Sequence, residues 1–329
     1  MKIAILSLTS GTVSRGAETF VANLSRELSR RHQLTVISAQ TLNYFGPLFW
    51  FTLKALRATA AREADIIMPV NGGWQSFFTR IYCWLTGKKM VIAGLAGLGI
   101  CDGWNLLMRP EAFVASTRRN TVWAKQFYGR GVSIATIPHG VDLDFFQPEG
   151  KKQTINLTKP IILCVAGPDR YKRVEATIKA VQELKSASLL LVGASDEDEN
   201  LGKQLLKRRF QRITAGYEAL PQIYRAADVF TMVSESTEEF GIVYLEALAS
   251  GLPVVGTDDE LRREILGPYG IYVQDVWGKE YTDKLKQALK QPKYRPEAWL
   301  RQFSWTVVAR QYEAVFSRAL SRGKAPALR

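Results

Sequence analysis

Cysteine is scarce in this chain: Cys83, Cys101 and Cys164 lie far apart, odd in number and without a C-x-x-C pair. That spacing excludes a disulfide framework and a cysteine zinc site, and it predicts small buried thiols in a reducing compartment. Apolar runs are short, and none reaches the roughly 18 residues of a membrane-spanning helix. The residues Met1-Lys2-Ile3-Ala4-Ile5-Leu6 run straight into a strand pattern without signal-peptide anatomy, so a cytoplasmic protein is expected. A dinucleotide fingerprint is also missing. Ser10-Gly11-Thr12-Val13-Ser14-Arg15-Gly16 stands where G-x-G-x-x-G would follow the first strand, which argues against a Rossmann oxidoreductase.

What the chain does have is positive charge. The net charge is +13; the first 150 residues hold 16 basic against 9 acidic groups, which leaves +6 for the rest. An excess spread over both halves suits polyanionic partners such as ligand phosphates or an anionic membrane, and it is also what a solvated basic surface gives. A hydrophobic share of 47% and a charged share of 23% are those of a folded globular protein. At 329 residues, two domains are expected.

Short β-branched runs alternate with helical patterns, which predicts parallel α/β architecture. Strands are expected at 2–8, 34–38, 66–70, 90–93, 113–115 and 134–137. A helix over 17–31 would carry Phe20, Val21, Leu24 and Leu28 on one face. A polar stretch rich in Pro, Gly and Lys within 139–160 predicts a hinge. The second half restarts the same grammar, with strands at 161–166, 188–192, 229–233 and 253–256 and helices to about 184, over 222–227 and over 242–250. Gly251 and Pro253 would close the last of these. The expected domains are 1–150 and 151–305, with a final helix over 306–329. Using such a unit twice predicts a cleft, where ligands of open α/β sheets usually sit.

The most informative stretch is Ser234-Glu235-Ser236-Thr237-Glu238-Glu239-Phe240-Gly241-Ile242-Val243-Tyr244-Leu245-Glu246-Ala247. A strand leads through a polar loop into a helix near Gly241. The amides of Gly241, Ile242 and Val243 then stand at a helix N-terminus, a ready phosphate site. Glu238 precedes that terminus and Glu246 follows about a turn along; carboxylates there accept hydrogen bonds from the vicinal diols of a ribose or a sugar. A surface loop whose acids favour the helix dipole would use the same residues.

This stretch resembles the Glu-x7-Glu element of retaining glycosyltransferases of the GT-B fold, in particular family 4 (group 1). The resemblance runs over most of the chain. Gly16-Ala17-Glu18 looks like the family's first loop and helix, and Ile137-Pro138-His139-Gly140-Val141-Asp142 is similar to its hinge approach. Leu220-Pro221-Gln222-Ile223-Tyr224-Arg225-Ala226-Ala227-Asp228 resembles its L-P-x-x-Y-x-x-A-D element. Glu246-Ala247 through Pro253-Val254-Val255 and Phe303-Ser304-Trp305 match further motifs in the right order.

The resemblance implies an α/β fold of two Rossmann-like doubly wound parallel-sheet domains facing across a cleft, the C-terminal helix crossing back to the N-terminal domain. It implies metal-independent, retaining transfer of a sugar from a nucleoside-diphosphate sugar to a glycan, lipid or other small acceptor. Glu246 would hold the donor ribose and Glu238 the transferred sugar, while Glu239, Phe240, Gly241, Ile242 and Val243 would surround the donor phosphates. Arg170 and Lys172 fit the basic pair that grips the diphosphate after Gly167, with Arg173 as a substitute; a cation there stabilises the leaving group's developing charge. Gly16 would let donor phosphate or acceptor approach the backbone, and Arg15 beside it would meet an anionic group.

The chain departs from the family at several points. Pro168 sits where an arginine often follows the glycine, and Glu239 occupies a usual glycine position. The histidine common after a middle strand of the first domain is absent. His32 reads as structural, and His139 stands in the hinge motif where asparagine is common. The corresponding segment, residues 94–104, offers Asp102, either to orient an acceptor hydroxyl or the sugar, or to form a turn. If the family mechanism holds, the acceptor attacks on the face the sugar leaves, and the leaving phosphate takes the proton.

Asp258-Asp259 and residues 196–199 read as a turn and a solvated loop, so no metal and no cofactor beyond the donor are expected. Residues 44–53, with Lys54 and Arg57 following, read equally as a membrane-surface or acceptor-binding helix and as a core helix. The expected partners are a nucleoside-diphosphate sugar and a lipid-linked or anionic glycan acceptor, with peripheral contact to an anionic membrane and no nucleic acid. A nucleotide-sugar epimerase and a non-catalytic nucleotide-sugar binder are the alternatives on this fold, and donor turnover separates the binder from an enzyme.

Overall fold

The computed structural model describes residues 1–11, 16–44, 46–128 and 131–321. The chain divides into two compact units, one built from residues 1–140 and the last segment from Phe303, the other from Val141–Gln302.

In the first unit the elements are β1 (Lys2–Leu6), α1 (Gly16–Leu28), β2 (Gln33–Ile37), α2 (Leu48–Arg57), α3 (Thr59–Glu63), β3 (Ile66–Pro69), α4 (Trp74–Thr86), β4 (Lys89–Ala93), α5 (Ile100–Leu107), β5 (Ala112–Ala115), α6 (Arg118–Tyr128) and β6 (Ser133–Thr136). The second contains β7 (Ile161–Ala166), α7 (Val174–Glu183), β8 (Ser188–Gly193), α8 (Asp196–Leu206), β9 (Phe210–Ile213), α9 (Leu220–Ala226), β10 (Val229–Met232), α10 (Ile242–Ala249), β11 (Val254–Thr257), α11 (Glu260–Leu266), β12 (Gly270–Val273), α12 (Lys279–Leu289) and α13 (Glu297–Leu300). The final helix α14 (Trp305–Ser321) belongs to the first unit.

Both sheets are parallel and six-stranded, ordered β2-β1-β3-β4-β5-β6 and β12-β11-β10-β7-β8-β9. Each half therefore starts at a central strand, winds outward, and returns to the other side. This doubly wound order covers both faces with helices, and it explains strands that are almost wholly apolar.

The period of two along β1 shows how one strand feeds two cores. Ile3 and Ile5 join a cluster with Phe20, Val21, Leu24 and Leu28 of α1 and with Val308, Tyr312 and Phe316 of α14. Ala4 and Leu6 point to the other face, with Phe51, Ala55 and Leu56 of α2. Gly140 lies flat against the Trp305 ring, and a Cβ there would come within 2.4 Å of it, so the approach into α14 requires glycine. The second sheet buries its own cluster, including Ile162, Cys164, Leu189, Leu191 and Val229.

Two features differ from the sequence expectation. The boundary falls after Gly140, ten residues before the expected 150, because residues 141–150 already pack on the second unit: Phe146 lies edge-on to Tyr217 and Tyr224. Strands β9 and β12 carry no clear pattern because they are the edges of their sheet, and β9 is half-exposed along its length.

Candidate active site

Strands β7 and β10 are neighbours in the second sheet, so the loops leaving their C-terminal ends run side by side. The first loop makes one 3-10 turn over Arg170–Lys172 before α7, and the second carries residues 233–241 into α10. They are tied together twice. The Glu235 amide donates to the Tyr171 carbonyl at 2.8 Å, and the Lys172 ammonium donates to the Glu238 carboxylate in a largely buried ion pair. Burial works against charge on Lys172. Glu238 and Tyr171 outweigh it and hold the ammonium above its ordinary value.

Gly241 caps α10 in the left-handed region, φ 80°, and a Cβ would stand 2.8 Å from the Tyr244 ring. That geometry turns the chain abruptly, so α10 begins at the sheet edge with its first amides lacking intrahelical acceptors. Further along α10, Glu246 is only 3% exposed. The hydroxyl of Tyr224, on α9, donates to it at 2.8 Å. Burial pushes the Glu246 carboxyl up to about 7, with the Tyr224 hydrogen bond pulling the other way. At its far end α10 closes as expected: Gly251 is left-handed, and the Leu252 amide reaches back to the Ala247 carbonyl at 3.0 Å.

The loop is braced from beneath by Arg262, a fully buried guanidinium on α11. It donates to the carbonyls of Ser234 and Glu235 at 3.0 Å each, to the Ser234 hydroxyl, and to Asp259 at 2.7 Å. Tyr244 donates to the Met232 carbonyl at 2.7 Å and so pins α10 to β10. Sequence reasoning does not single out Arg262, Tyr244 or Ser234. An arginine behind Asp-Asp looks like any solvated helix arginine, and only the buried loop carbonyls reveal its task. Tyr224 stands in the L-P-x-x-Y element, which by itself gives the residue no role.

Other expected residues fall differently. Arg170 is 94% exposed at the side chain and lies 3.9 Å from Glu197. Consecutive positions of a 3-10 turn point about 120° apart, so the expected basic pair is reduced to Lys172. Arg173 is closer to the loop, its Nε 3.4 Å from Glu235. Phe240 is buried, which makes its side chain part of the core and leaves only its backbone to meet a ligand. Glu239, Ile242 and Val243 are half-buried at the start of α10. Gly167 lies where β7 gives way to its loop, near the Asp169 carboxylate.

In the first unit, Gly16 opens α1 with nothing within 4 Å of the place a Cβ would take, so the fold itself makes no demand for glycine there. Arg15 lies outside the described residues. Asp102 is buried on α5, hydrogen bonded by Asn105 at 3.1 Å and by the amides of Ala96 and Gly97, and burial raises it to about 6. Its oxygens are engaged within its own segment, where it organises residues 94–104. His139 is half-buried, its ring centre 5.4 Å from that of Phe20, and desolvation holds its imidazole down at about 4.

The acidic runs have local partners. Asp259 caps α11, Asp258 pairs with Arg263 at 2.6 Å, Ser195 and Asp198 form a capping box, and Asp196 and Glu199 hold Arg212. Of residues 44–53, Phe45 lies outside the described residues, and the stretch runs into α2, which buries Phe51 and leaves Trp50 exposed. A cavity of about 800 Å³ opens at the ends of β7 and β8, lined by Arg170, Arg173, Ser195, Glu235 and several further carboxylates. It touches neither Lys172, Glu238 nor Glu246, and its acidic lining suits phosphate poorly.

Two doubly wound parallel-sheet units, the second with an ion pair across neighbouring loops and a buried carboxylate on the helix that follows, define an α/β protein of the GT-B fold. Residues 146–299 match the family of glycosyl transferases group 1. A phosphatidyl-myo-inositol mannosyltransferase of Mycobacterium tuberculosis is 27% identical over 60% of this chain and 57% of its own. A D-inositol 3-phosphate glycosyltransferase of Corynebacterium aurimucosum is 28% identical over 68% of this chain and 60% of its own. The matched region thus spans about three fifths of the length of these relatives. Among solved structures, a Rickettsia africae glycosyltransferase superposes with a TM-score of 0.76 at 18% identity, covering 97% of this chain and 99% of the other. Anabaena HepE in complex with UDP and glucose gives 0.74 at 16%, covering 96% and 99%. Among the described residues no helix is long and apolar enough to cross a membrane.

Proposed function

We propose that the protein is a retaining, metal-independent hexosyltransferase that moves a sugar from a nucleoside-diphosphate donor to a lipid-linked or anionic acceptor, working in the cytoplasm at the inner face of an anionic membrane. The observation that carries this reading is the Lys172–Glu238 pair beside the first amides of α10, with Glu246 a turn further on. A donor diphosphate seated on those amides would compete with Glu238 for the Lys172 ammonium, and Lys172 would then take the leaving group's charge without help from a cation cofactor. Glu238, so released, would accept hydrogen bonds from the transferred sugar, and Glu246 from the ribose diol. The departing phosphate would take the acceptor's proton, so the transfer would need no protein base. The relatives' names, for phosphatidyl-myo-inositol and inositol 3-phosphate, and the net charge of +13 support an acceptor bearing phosphate.

The test is a panel of UDP-, GDP- and ADP-sugars, read by thermal shift and then by nucleoside-diphosphate release, on wild type and Glu246→Ala. A donor that stabilises and is turned over, with both effects lost in the variant, is the expected result. Binding without turnover over a broad acceptor panel would indicate a non-catalytic binder. No response to any donor would remove the site assignment.

A further inference from the structure

Two helices on one face of the first sheet are built inside out. In α4 the buried side chains are Gln75, Ser76, Thr79 and Cys83, whereas Trp74, Phe77, Phe78, Ile81, Trp84 and Leu85 are exposed or half-exposed. Those six recur at helical spacing, and a helix of a globular protein turns such a stripe inward. Helix α5 repeats the inversion: Asp102 and Asn105 are buried, while Ile100, 92% exposed, and Trp104 and Leu107 face out. Three of the buried polar side chains are linked in a chain. Ser76 donates to Asn105 at 2.7 Å and Asn105 to Asp102 at 3.1 Å, a seam that fixes the two helices from within.

The outward surface is continuous. The Trp104 indole donates to the Gly73 carbonyl at 3.0 Å, and Trp74 stacks on Phe78 with ring centres 6.2 Å apart. Phe78 meets Phe49 of α2 edge-on at 5.0 Å, and Phe49 meets exposed Trp50 at 4.8 Å. Half of the chain's 8 tryptophans, Trp50, Trp74, Trp84 and Trp104, lie on it. Ionic groups on α2, α4 and α5 are Lys54, Arg57 and Arg80, and the one acid, Asp102, is buried. An apolar patch this large marks an interaction site. Indoles with an apolar body and a polar N–H sit at the headgroup level of bilayers, and a one-signed basic margin opposes pairing with a second copy while favouring anionic lipid.

We infer that this face of the first unit docks on an anionic lipid bilayer, with the outer side chains of α4 and α5 and Trp50 inserted at headgroup depth and Lys54 and Arg57 meeting lipid phosphates. It deepens the membrane contact of the preceding reading and rests on it for its purpose. Vesicle binding is measured without donor or acceptor, so its failure leaves sugar transfer standing.

The experiment floats the full chain with vesicles of phosphatidylcholine alone or mixed with phosphatidylglycerol, at low and high salt, and reads quenching of tryptophan fluorescence by brominated acyl chains. Wild type should bind the mixed vesicles about tenfold or more tightly than the neutral ones and be quenched. Trp84→Ser with Leu85→Ser should lower binding about tenfold or more at an unchanged melting temperature, and Lys54→Gln with Arg57→Gln should remove the preference for phosphatidylglycerol. Should a variant melt early, quenching of wild type still decides. Failure of wild type to float with mixed vesicles, or equal flotation by the Trp84→Ser, Leu85→Ser variant, overturns the inference. So does a dimer in solution that this variant converts to monomer, which would assign the face to a second copy.

Discussion

Tyr224 and Glu246 meet from two adjacent helices, the phenol donating to the carboxylate at 2.8 Å with both side chains sealed from solvent. This hydrogen bond favours the ionised acid, and burial opposes it more strongly. Tyr224→Phe removes the one counterweight while leaving the packing. Stability should fall by about 1–2 kcal/mol, checked by urea unfolding. The acid limb of donor binding should move to higher pH.

Glu246 itself makes donor affinity and stability respond to pH in opposite senses. Its folded value, about 7, lies above the ordinary 4.5, so the folded state holds the proton more tightly between those values. Its contribution to stability is complete below 4.5 and is lost as pH rises through about 7. The carboxylate that would accept the ribose diol appears over the same interval. Donor affinity should therefore rise as pH climbs through about 7, and Glu246→Gln should flatten both trends. Calorimetric titration and melting curves across this range check it.

Lys172→Met should leave Glu238 without its cation and the departing diphosphate without charge compensation. Turnover should drop by about 100-fold or more, with stability falling about 1–3 kcal/mol. Lys172→Arg should restore part of both. Equal turnover in wild type and Lys172→Met, by nucleoside-diphosphate release, would contradict the role.

Removing Arg262 strands the carbonyls of Ser234 and Glu235 that it now satisfies. Arg262→Ala should cost about 3 kcal/mol or more and raise the donor KM through a loosened 234–241 loop. Hydrogen exchange of those amides reports the loosening directly.

Gly16→Ala separates fold from function in the first unit. With open space around the position, the substitution should be neutral or stabilise α1 by about 0.5–1 kcal/mol. If a ligand approaches that backbone, turnover should fall while the melting temperature does not.

Central strands and their helices were legible because burial on both faces writes continuous apolar runs, as at 161–166, and because Gly241 and Gly251 punctuate α10. Glu238 and Glu246 could be set at the start of a helix because strand, loop and helix boundaries fix where each stands, whereas Lys172 is singled out only by the family resemblance. Arg170 could not be placed, since one turn of 3-10 helix decides which of two nearby cations faces inward. Asp102 and Arg262 were opaque for a different reason: what they do depends on amides and carbonyls, which every residue carries. The inversion of α4 was hidden as well, because a helical stripe of aromatics has the same period whether it faces sheet or solvent.

Because Val308, Tyr312 and Phe316 complete the cluster begun by Phe20 and Leu24, the first unit is finished by a helix that the ribosome makes only after the whole of the second. The second unit is one uninterrupted run, whereas the first is closed by a segment that follows it in the chain. Residues 1–140 thus lack part of their core until α14 is in place, although the two are separated by the whole of the second unit.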